Sequence, residues 1–219
     1  MASTPDSPAL EPVPAAARRS GYARSEDTRA RIMAAALEEA SETGLHHTSL
    51  GRIANRAGVA VGILNYHFGS KRMLLRELMR TLVADLLSRL HVADPDSSAD
   101  FFERERAGLL VYLEYLRANP AYVRLADEVK LFEPEIYRRA VNGWIESFAS
   151  RLRGEIERGV IRSMSEAEVQ VQAHLLLGMR HHLDHIMQGE GGGEVPDDSA
   201  VVDAYLGLVR SGLGSPARV

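Results

Sequence analysis

The sequence contains no cysteine and no long apolar run, and each absence excludes a class of protein. Without cysteine there is no disulfide framework, no thiolate metal site and no cysteine nucleophile, and a reducing compartment is compatible with the chain. A helix needs ~20 consecutive apolar residues to cross a bilayer, and no run approaches that length. The N-terminal residues also lack the basic start and apolar core of a signal peptide. We therefore expect a cytoplasmic protein with no membrane association.

The charges that are present are divided unevenly along the chain. Residues 18–80 hold 11 lysines and arginines against 6 aspartates and glutamates, so this segment is basic although the net charge of the chain is −4. The remainder of the chain is acidic as a consequence. A basic segment favours a polyanion as its partner, whereas an acidic one does not.

Changes in composition and apolar period divide the chain into three parts. Residues 1–24 are rich in proline, alanine and serine with no apolar period, which predicts a flexible arm. Residues 25–70 form the basic part, and residues 71–219 the larger acidic part. Within the larger part, a connecting helix is predicted over 71–90.

The apolar spacing is helical throughout, and no strand is predicted, so the fold class is all-α. Ser25 and Ser70 are suited to begin helices, whereas Gly44 and Gly58 are suited to end them. In the basic part and the connecting helix, the predicted helices are 25–44, 50–57, 60–67 and 71–90. Beyond the break at 94–98, they are 101–118, 121–131, 134–158, 165–188 and 199–211.

The second and third helices have the pattern of a helix-turn-helix. The small side chain of Ala54 lets the next helix cross closely, and Gly58 supplies the positive φ that a tight turn needs. Leu64 would close the core between the two helices, while Ile63 and Tyr66 would project from other faces of the third. The third helix is therefore predicted to enter a major groove of DNA.

Residues 28–78 resemble the DNA-binding domain of the TetR family of transcriptional regulators. The resemblance rests on matches at Gly44, Thr48-Ser49, Ile53-Ala54, Ala57-Gly58-Val59, Gly62, Leu64, Tyr66-His67-Phe68, Ser70-Lys71 and Leu74-Leu75. It implies a homodimer with a three-helix reading unit, a connecting fourth helix, and a variable C-terminal domain that binds an inducer and carries the dimer interface. No cofactor is predicted.

The resemblance also implies which residues meet DNA. Two departures from the family pattern are Ala60, where a polar residue is usual, and Asn65, where tyrosine is usual. Asn65 is suited to pair with an adenine edge, while Val61 and Ile63 would meet thymine methyl groups, which favours A·T pairs. The predicted DNA-binding residues are Thr48, Ser49, Tyr66 and Lys71 at phosphates, Val61, Gly62, Ile63 and Asn65 in the groove, and His67 beside them.

Most aromatic residues of the C-terminal part lie in its middle helices, where they would line either a ligand cavity or an ordinary core. The resemblance implies a ligand pocket in this domain, and it is the basis for assigning these residues to one. The predicted ligand-binding residues are Tyr112, Tyr115, Phe132, Trp144, Phe148 and His181.

His174, Gly178, His181 and His185 share one stripe of a predicted helix, which raises the possibility of a metal site. The stripe lacks the glutamate of a His-Glu-x-x-His protease, and the sequence offers no third ligand, so no metal is predicted. Apolar residues surround the stripe, which is typical of a buried interface helix. Together with the last helix, it would form a four-helix dimer core.

These patterns predict a homodimeric repressor that binds a palindromic operator in double-stranded DNA and is released by a small-molecule inducer. The alternative is a constitutive DNA-binding or protein-interaction module of the same fold with a filled core and no inducer. An enzyme is disfavoured because the C-terminal part offers no convincing set of convergent polar groups.

Overall fold

A computed structural model describes residues 15–93, 99–189 and 195–214, with side chains described from residue 24 onward. These ranges contain ten helices and no strand beyond one isolated bridge between Ile161 and Gly214, which confirms the all-α prediction. None of the helices in these ranges is long and apolar enough to span a membrane. The helices are α1 Ala15–His47, α2 Leu50–Ala57, α3 Val61–Phe68, α4 Lys71–Val92, α5 Phe101–Ala118, α6 Tyr122–Phe132, α7 Pro134–Glu157, α8 Glu166–His181, α9 Leu183–Met187 and α10 Asp198–Leu213.

Side-chain caps explain where several helices begin. Ser70 Oγ accepts a hydrogen bond from the Met73 amide at 3.3 Å, which satisfies one of the free N–H groups at the start of α4. Asp100 and Ser165 each form a capping box with the glutamate three residues later, at the starts of α5 and α8. The predicted start of α4 is therefore confirmed.

The start of α1 differs from the prediction. The helix begins at Ala15, so Ser25 lies inside it rather than at its N-cap, and residues 15–24 are helical although an arm was predicted there. Alanines at 15–17 favour helix. The predicted arm over residues 1–14 lies outside the described residues. At its other end, Gly44 has φ 80° and ψ 161°, which interrupts the helix where the sequence predicts its end.

The helix predicted over 165–188 is two helices in the structure. The chain turns at His182, and the short α9 packs against α5. Leu183 and Asp184 are buried at this turn. No glycine or proline marks the break, so the contact with α5, rather than a local sequence signal, accounts for it.

The three-helix unit at the N-terminal end packs around a small apolar core. Ile32, Ala36, Ile53, Ala54 and Leu64 are all almost completely buried. Burying an isoleucine or leucine side chain contributes about 1.5–3 kcal/mol relative to leaving it exposed. The predicted close crossing of α2 and α3 above Ala54 is consistent with this packing.

The end of α1 is held by α6 of the larger domain. Glu128 Oε2 accepts hydrogen bonds from the amides of Leu45 at 2.5 Å and His46 at 3.3 Å. Arg124 of α6 donates to the Ser41 carbonyl of α1. A Cβ at Gly44 would lie 2.6 Å from Glu128 Oε1, so glycine also allows this close approach. The three-helix unit is therefore joined to the larger helical part by polar contacts as well as through α4.

Candidate DNA interface and ligand cavity

The turn between α2 and α3 depends on glycine. Gly58 has φ 64° and ψ 40°, and its amide donates to the Asn55 carbonyl at 3.1 Å. The next amide, of Val59, donates to the Ala54 carbonyl at 3.0 Å. A Cβ at Gly58 would lie 3.0 Å from Arg31 Nη2, which donates to the Ala57 carbonyl. The predicted αL turn is therefore confirmed.

Gly58→Ala is expected to lower the free energy of unfolding of the protein by about 1–2 kcal/mol, because a non-glycine residue pays that cost in the left-handed region. Gly62→Ala is the matched control: Gly62 is helical, and a Cβ there meets nothing within 4 Å. That change should leave stability equal or slightly higher, since alanine is the better helix former. Chemical denaturation of both variants checks this. Equal stability for the two would contradict the role given to Gly58.

The outer face of α3 is exposed and almost free of charge. Val61, Ile63 and Tyr66 are 42%, 40% and 82% exposed, although all three are large and partly or wholly apolar. Gly62 and Asn65 share this exposed surface. The inner face carries the buried side chains Leu64 and Phe68, and α3 packs against α2 and α4. All the residues predicted to lie in the groove are therefore on one accessible helix.

The two residues before α2 differ in what they present. Thr48 is only 3% exposed, and its Oγ1 donates to the Gly44 carbonyl at 2.7 Å. The predicted contact of its hydroxyl with phosphate is therefore wrong in this conformation, because that hydroxyl stabilises the turn after α1. Ser49 is the N-cap residue but makes no side-chain capping bond, so its hydroxyl remains available to a phosphate.

The start of α3 has no side-chain cap. Ala60 stands at the N-cap position, and no side chain accepts a hydrogen bond from the first turn. The departure from the family pattern at Ala60 therefore leaves α3 without a side-chain cap. The Ile63 amide donates to the Ala60 carbonyl at 2.9 Å, which leaves the amides of Val61 and Gly62 to meet an anion, as uncapped helix N-termini do.

Lys71 and His67 flank the exposed face of α3. Lys71 is the first residue of α4, and its ammonium donates to the His46 carbonyl at 3.0 Å. That bond is exposed and uses one of three donors, so the lysine retains donors for a phosphate. His67 is half-buried, with Tyr66 packed edge-on against its ring, and its carbonyl accepts from Arg29 at 3.2 Å.

Most arginines of the basic segment are occupied within the protein. Arg52 and Arg56 pair with Glu39 of α1, whose carboxylate is completely buried. Arg29 pairs with Glu77 at 3.1 Å. The excess positive charge that the sequence indicates therefore does not lie on α3, the helix predicted to enter the major groove.

A cavity of about 1420 Å³ lies between α4, α6, α7 and α8, with Tyr112 of α5 on its floor. Its wall is mainly apolar and includes Leu86, Val129 and Ile145. Leu87 and Phe132, which also line it, are about half exposed, so the cavity reaches the surface. This is larger than most cavities for drug-sized ligands, which measure about 300–1,000 Å³.

Five of the six predicted ligand residues line this cavity: Tyr112, Phe132, Trp144, Phe148 and His181. Tyr115 does not, so its prediction is wrong. Its side chain is completely buried, and its hydroxyl donates to the Leu82 carbonyl of α4 at 2.8 Å. Tyr115 and Tyr112 are three residues apart, and only packing determines which of them faces the cavity.

Several polar groups interrupt the apolar wall. Tyr112 and Tyr122 lie deep in it, and burial raises the pKa of both phenols, that of Tyr122 to about 12. Both hydroxyls are therefore protonated at neutral pH and able to donate a hydrogen bond. His181 Nε2 lies 3.2 Å from a carboxylate oxygen of Asp127 on α6.

Glu133, between α6 and α7, ties the cavity to α4. Its carboxylate accepts from Arg72 and Arg76, with Oε2 2.9 Å from Arg72 Nη2 and 3.0 Å from Arg76 Nη2. The hydrogen bonds from Arg72 and Arg76 lower the pKa of Glu133 to about 2, so it is ionised at neutral pH. No local pattern in the sequence indicates this contact, because Glu133 lies 57 residues from Arg76 and 61 residues from Arg72.

An apolar face remains exposed on α8, α9 and α10. Leu175 and Ile186 are about half exposed, and Leu208 is 68% exposed. Between them lies a groove of about 570 Å³ whose lining also includes Gly178 and Tyr205. This is the pair of helices for which the sequence predicts a dimer interface.

The predicted histidine stripe is divided by the fold. His174, Gly178 and His181 line the large cavity, whereas His185 lies beyond the turn at His182. Within the described ranges, no three histidine, aspartate or glutamate side chains are grouped so as to hold a metal ion.

Comparison with known proteins assigns the N-terminal unit to a family. Residues 32–78 match the family model described as "Bacterial regulatory proteins, tetR family". Residues 32–78 are therefore similar to the DNA-binding domain of TetR-family regulators. TetR-family regulators are DNA-binding transcription factors and not enzymes, which agrees with the function class that the sequence indicates.

Curated relatives match about a third of the chain. The HTH-type transcriptional regulator BetI of Klebsiella pneumoniae (strain 342) is 40% identical over 75 residues, covering 32% of this chain and 38% of BetI. BetI of Escherichia coli (strain K12 / DH10B) is 40% identical over 76 residues, covering 33% of this chain and 38% of that protein. The chain thus matches little more than a third of the length of these relatives.

Solved structures extend the similarity in fold to most of the chain. A TetR-like regulator from Rhodococcus sp. RHA1 has a TM-score of 0.69 at 20% identity, covering 84% of this chain and 94% of its own. The ketosteroid transcriptional regulator KstR2 of Mycobacterium tuberculosis has a TM-score of 0.64 at 22% identity, covering 86% and 95%. The likeness shows that the larger helical domain shares the TetR-like fold.

Proposed function

We propose that the protein is a homodimeric transcriptional repressor that binds a palindromic operator and is released from it by a small molecule. The proposal is supported by the combination of two features in one chain. The outer face of α3 is exposed, and a large apolar cavity lies against α4, the helix that follows the three-helix unit. The domains proposed are 25–70 for DNA binding and 71–219 for ligand binding and dimerisation. The proposed site of action is the cytoplasm.

A dimer accounts for the exposed apolar face of α8 to α10. Two copies related by a two-fold axis would cover Leu175 and Leu208 with the same residues of the partner. The two α3 helices would then enter successive major grooves, with half-sites about 34–36 Å apart or a little more. In this arrangement Val61, Gly62, Ile63 and Asn65 face bases, while Ser49, Tyr66 and Lys71 face phosphates and His67 lies beside them.

The ligand would act through α4. A molecule that fits between α4 and the α6–α7 corner favours one separation of these helices over another, and only such a difference in affinity shifts a conformational equilibrium. Glu133 links the corner to α4, and Glu128 links α6 to the end of α1. A shift of α6 or of the α6–α7 corner is therefore transmitted to the three-helix unit through the contacts of Glu133 and Glu128.

Selection of bound sequences from random duplex DNA tests the DNA-binding part of this proposal. We expect the purified protein to enrich a palindromic site at moderate salt. Binding that is confined to low salt and enriches no sequence would contradict operator recognition. The enriched site then serves as the probe for release by small molecules. A protein that no small molecule stabilises or releases would instead fit the constitutive alternative.

Asn65→Ala and Lys71→Ala are expected to weaken binding in different ways. Loss of Asn65 should relax the preference at one base pair by about 1–3 kcal/mol, since a bidentate amide–adenine pair discriminates by that amount. Loss of Lys71 should weaken binding to all sequences by a similar factor. It should also reduce the slope of log affinity against log salt concentration by about one. Titrations of operator and single-base variants at several salt concentrations measure both effects.

Two exposed residues outside the interface are the controls. Asn55→Ala on α2 and Lys130→Ala on α6 remove the same chemical groups at sites that the proposal leaves free of DNA. Neither change should alter base preference or salt dependence. If Asn65→Ala and Lys71→Ala change base preference and salt dependence in the same way, the assignment of Asn65 to bases and of Lys71 to phosphates is incorrect.

A further inference from the structure

We propose that the ligand is an amphiphilic anion: an apolar body in the cavity and a negative group that takes the place of Glu133 on the arginines of α4. This inference rests on the proposed function, because it names the chemical class of the molecule that the cavity receives. Two features of the cavity support the inference: the positive charge at its opening and the apolar wall behind that opening.

The charged residues that line the cavity are almost all positive. Glu133 is the only carboxylate among the lining residues of the described chain. Two of the cations, Arg80 and Arg180, pair with carboxylates that do not line the cavity, Glu77 and Glu105. The lining cations are Lys71, Arg72, Arg76, Arg80, Arg139 and Arg180.

The uncompensated charge is concentrated where α4 meets the start of α7. Arg72 and Arg76 share the single carboxylate of Glu133. Arg139, in the second turn of α7, donates weakly to the Glu135 carbonyl at 3.3 Å, and Lys71 donates to a carbonyl of His46. No carboxylate pairs with Arg139 or Lys71 in the described ranges. Four of the cations that line the cavity therefore have a single carboxylate, that of Glu133, between them.

The rest of the wall selects an apolar body. Behind the cationic mouth, the lining consists of side chains such as Leu75, Val83, Trp144, Ile145 and Leu177. A ligand charged at both ends, or polar throughout, would lose more hydration here than the few polar side chains of the wall, Tyr112, Tyr122 and His181, replace. An apolar chain with one negative end satisfies both regions.

Exchange at Glu133 connects this chemistry to release from DNA. Glu133 belongs to the α6–α7 corner, and its bonds to Arg72 and Arg76 hold α4 to that corner. An anion on the ligand competes for the same guanidinium groups, which bind carboxylates and phosphates through parallel N–H donors. When the ligand takes these donors, α4 is no longer tied to the corner through Glu133.

The test compares four probes with the same ten-carbon chain: decanoate, decyl phosphate, decanol and decyltrimethylammonium. Binding to the full-length protein is measured by calorimetry without DNA, below the micelle concentration of each probe. We expect at least one of the two anions to bind about tenfold or more tightly than decanol, and the ammonium to bind more weakly still. The comparison of decanoate with decyl phosphate identifies the anionic group. Equal or tighter binding of decanol or the ammonium, or no binding of any probe, overturns the proposal.

Two variants with opposite expected effects test the exchange itself. Arg139→Gln should reduce the preference for the anion over decanol several-fold, whereas Glu133→Gln should increase affinity for the anion because the internal competitor is neutral. Arg117→Gln, an exposed arginine that pairs with Asp198 outside the cavity, is the matched control and should change neither. Weaker anion binding by Glu133→Gln, with melting temperature unchanged, overturns the exchange.

Measuring whether the same probes release the protein from its operator separates this inference from the proposed function. If decanol releases the operator and binds as tightly as the anions, ligand control of DNA binding stands and the anion assignment falls. If the anions bind selectively but the protein enriches no operator, the ligand class stands and the regulatory function falls.

Discussion

Leu208→Glu is expected to convert the protein to a monomer and to lower its affinity for a palindromic operator by about 100-fold or more. Leu208 lies on α10, is 68% exposed in the single chain, and lines the apolar groove beside α8 and α9. In the proposed dimer, this change would bury two unpaired carboxylates, which is strongly unfavourable. Linking two binding units raises apparent affinity by about 10²–10⁴, and a monomer loses that gain.

Leu131→Glu is the matched control for this change. Leu131 lies on α6, is 79% exposed, and belongs to neither the groove nor the cavity. Sedimentation and operator titration should find this variant dimeric and fully active in DNA binding. The melting temperature of the Leu208→Glu variant is compared with that of the wild type only after its oligomeric state is known, since dissociation of a dimer by itself lowers the melting temperature. A Leu208→Glu protein that remains dimeric would place the dimer interface elsewhere.

Arg180→Met is expected to lower the free energy of unfolding by about 3–5 kcal/mol, because it leaves a buried carboxylate without its countercharge. Arg180 is 7% exposed and Glu105 is completely buried, with Arg180 Nη2 2.8 Å from Glu105 Oε1. Tyr205 donates to the same oxygen at 2.7 Å. In a chain of this size, such a loss lowers the melting temperature by roughly 6–20 °C.

The double variant Glu105→Gln with Arg180→Met isolates the cause. Removing both charges should recover most of the stability, since replacing a whole buried ion pair is often nearly neutral. Arg106→Met, an exposed arginine on α5 that pairs with Asp203, is the control and should cost little, as exposed pairs contribute about 0–1 kcal/mol. If the double variant is as unstable as Arg180→Met, loss of packing, including the contact of Arg180 with the Phe148 ring, is the larger effect.

Prediction from sequence succeeded where the signal was local. The bounds of α2 and α5 agree with the structure to the residue, because the glycine at 58 and the Asn119-Pro120 pair end those helices by their own backbone chemistry. It failed at His182, where contact with α5 divides the helix although no local residue breaks it. It also failed at Ala15, since α1 begins ten residues before the predicted cap at Ser25.

The candidate sites show the same division. The face of α3 follows from helical spacing, since burial of Leu64 and Phe68 leaves Val61, Ile63 and Asn65 on the outer side. Helical spacing did not indicate that the Ser49 hydroxyl is available to a phosphate while the Thr48 hydroxyl is not. The hydrogen bond from Thr48 to the Gly44 carbonyl depends on the kink at Gly44.

The sequence by itself determined the helical class, the helix-turn-helix and its exposed residues, because caps, glycine turns and apolar spacing act over a few residues. Only the tertiary structure decided which aromatic side chains face the cavity, that Tyr115 does not, and that Glu133 and Glu128 bind α4 and α1. Those contacts join residues 57 to 83 positions apart. Their geometry depends on how whole helices pack, which no short stretch of sequence encodes.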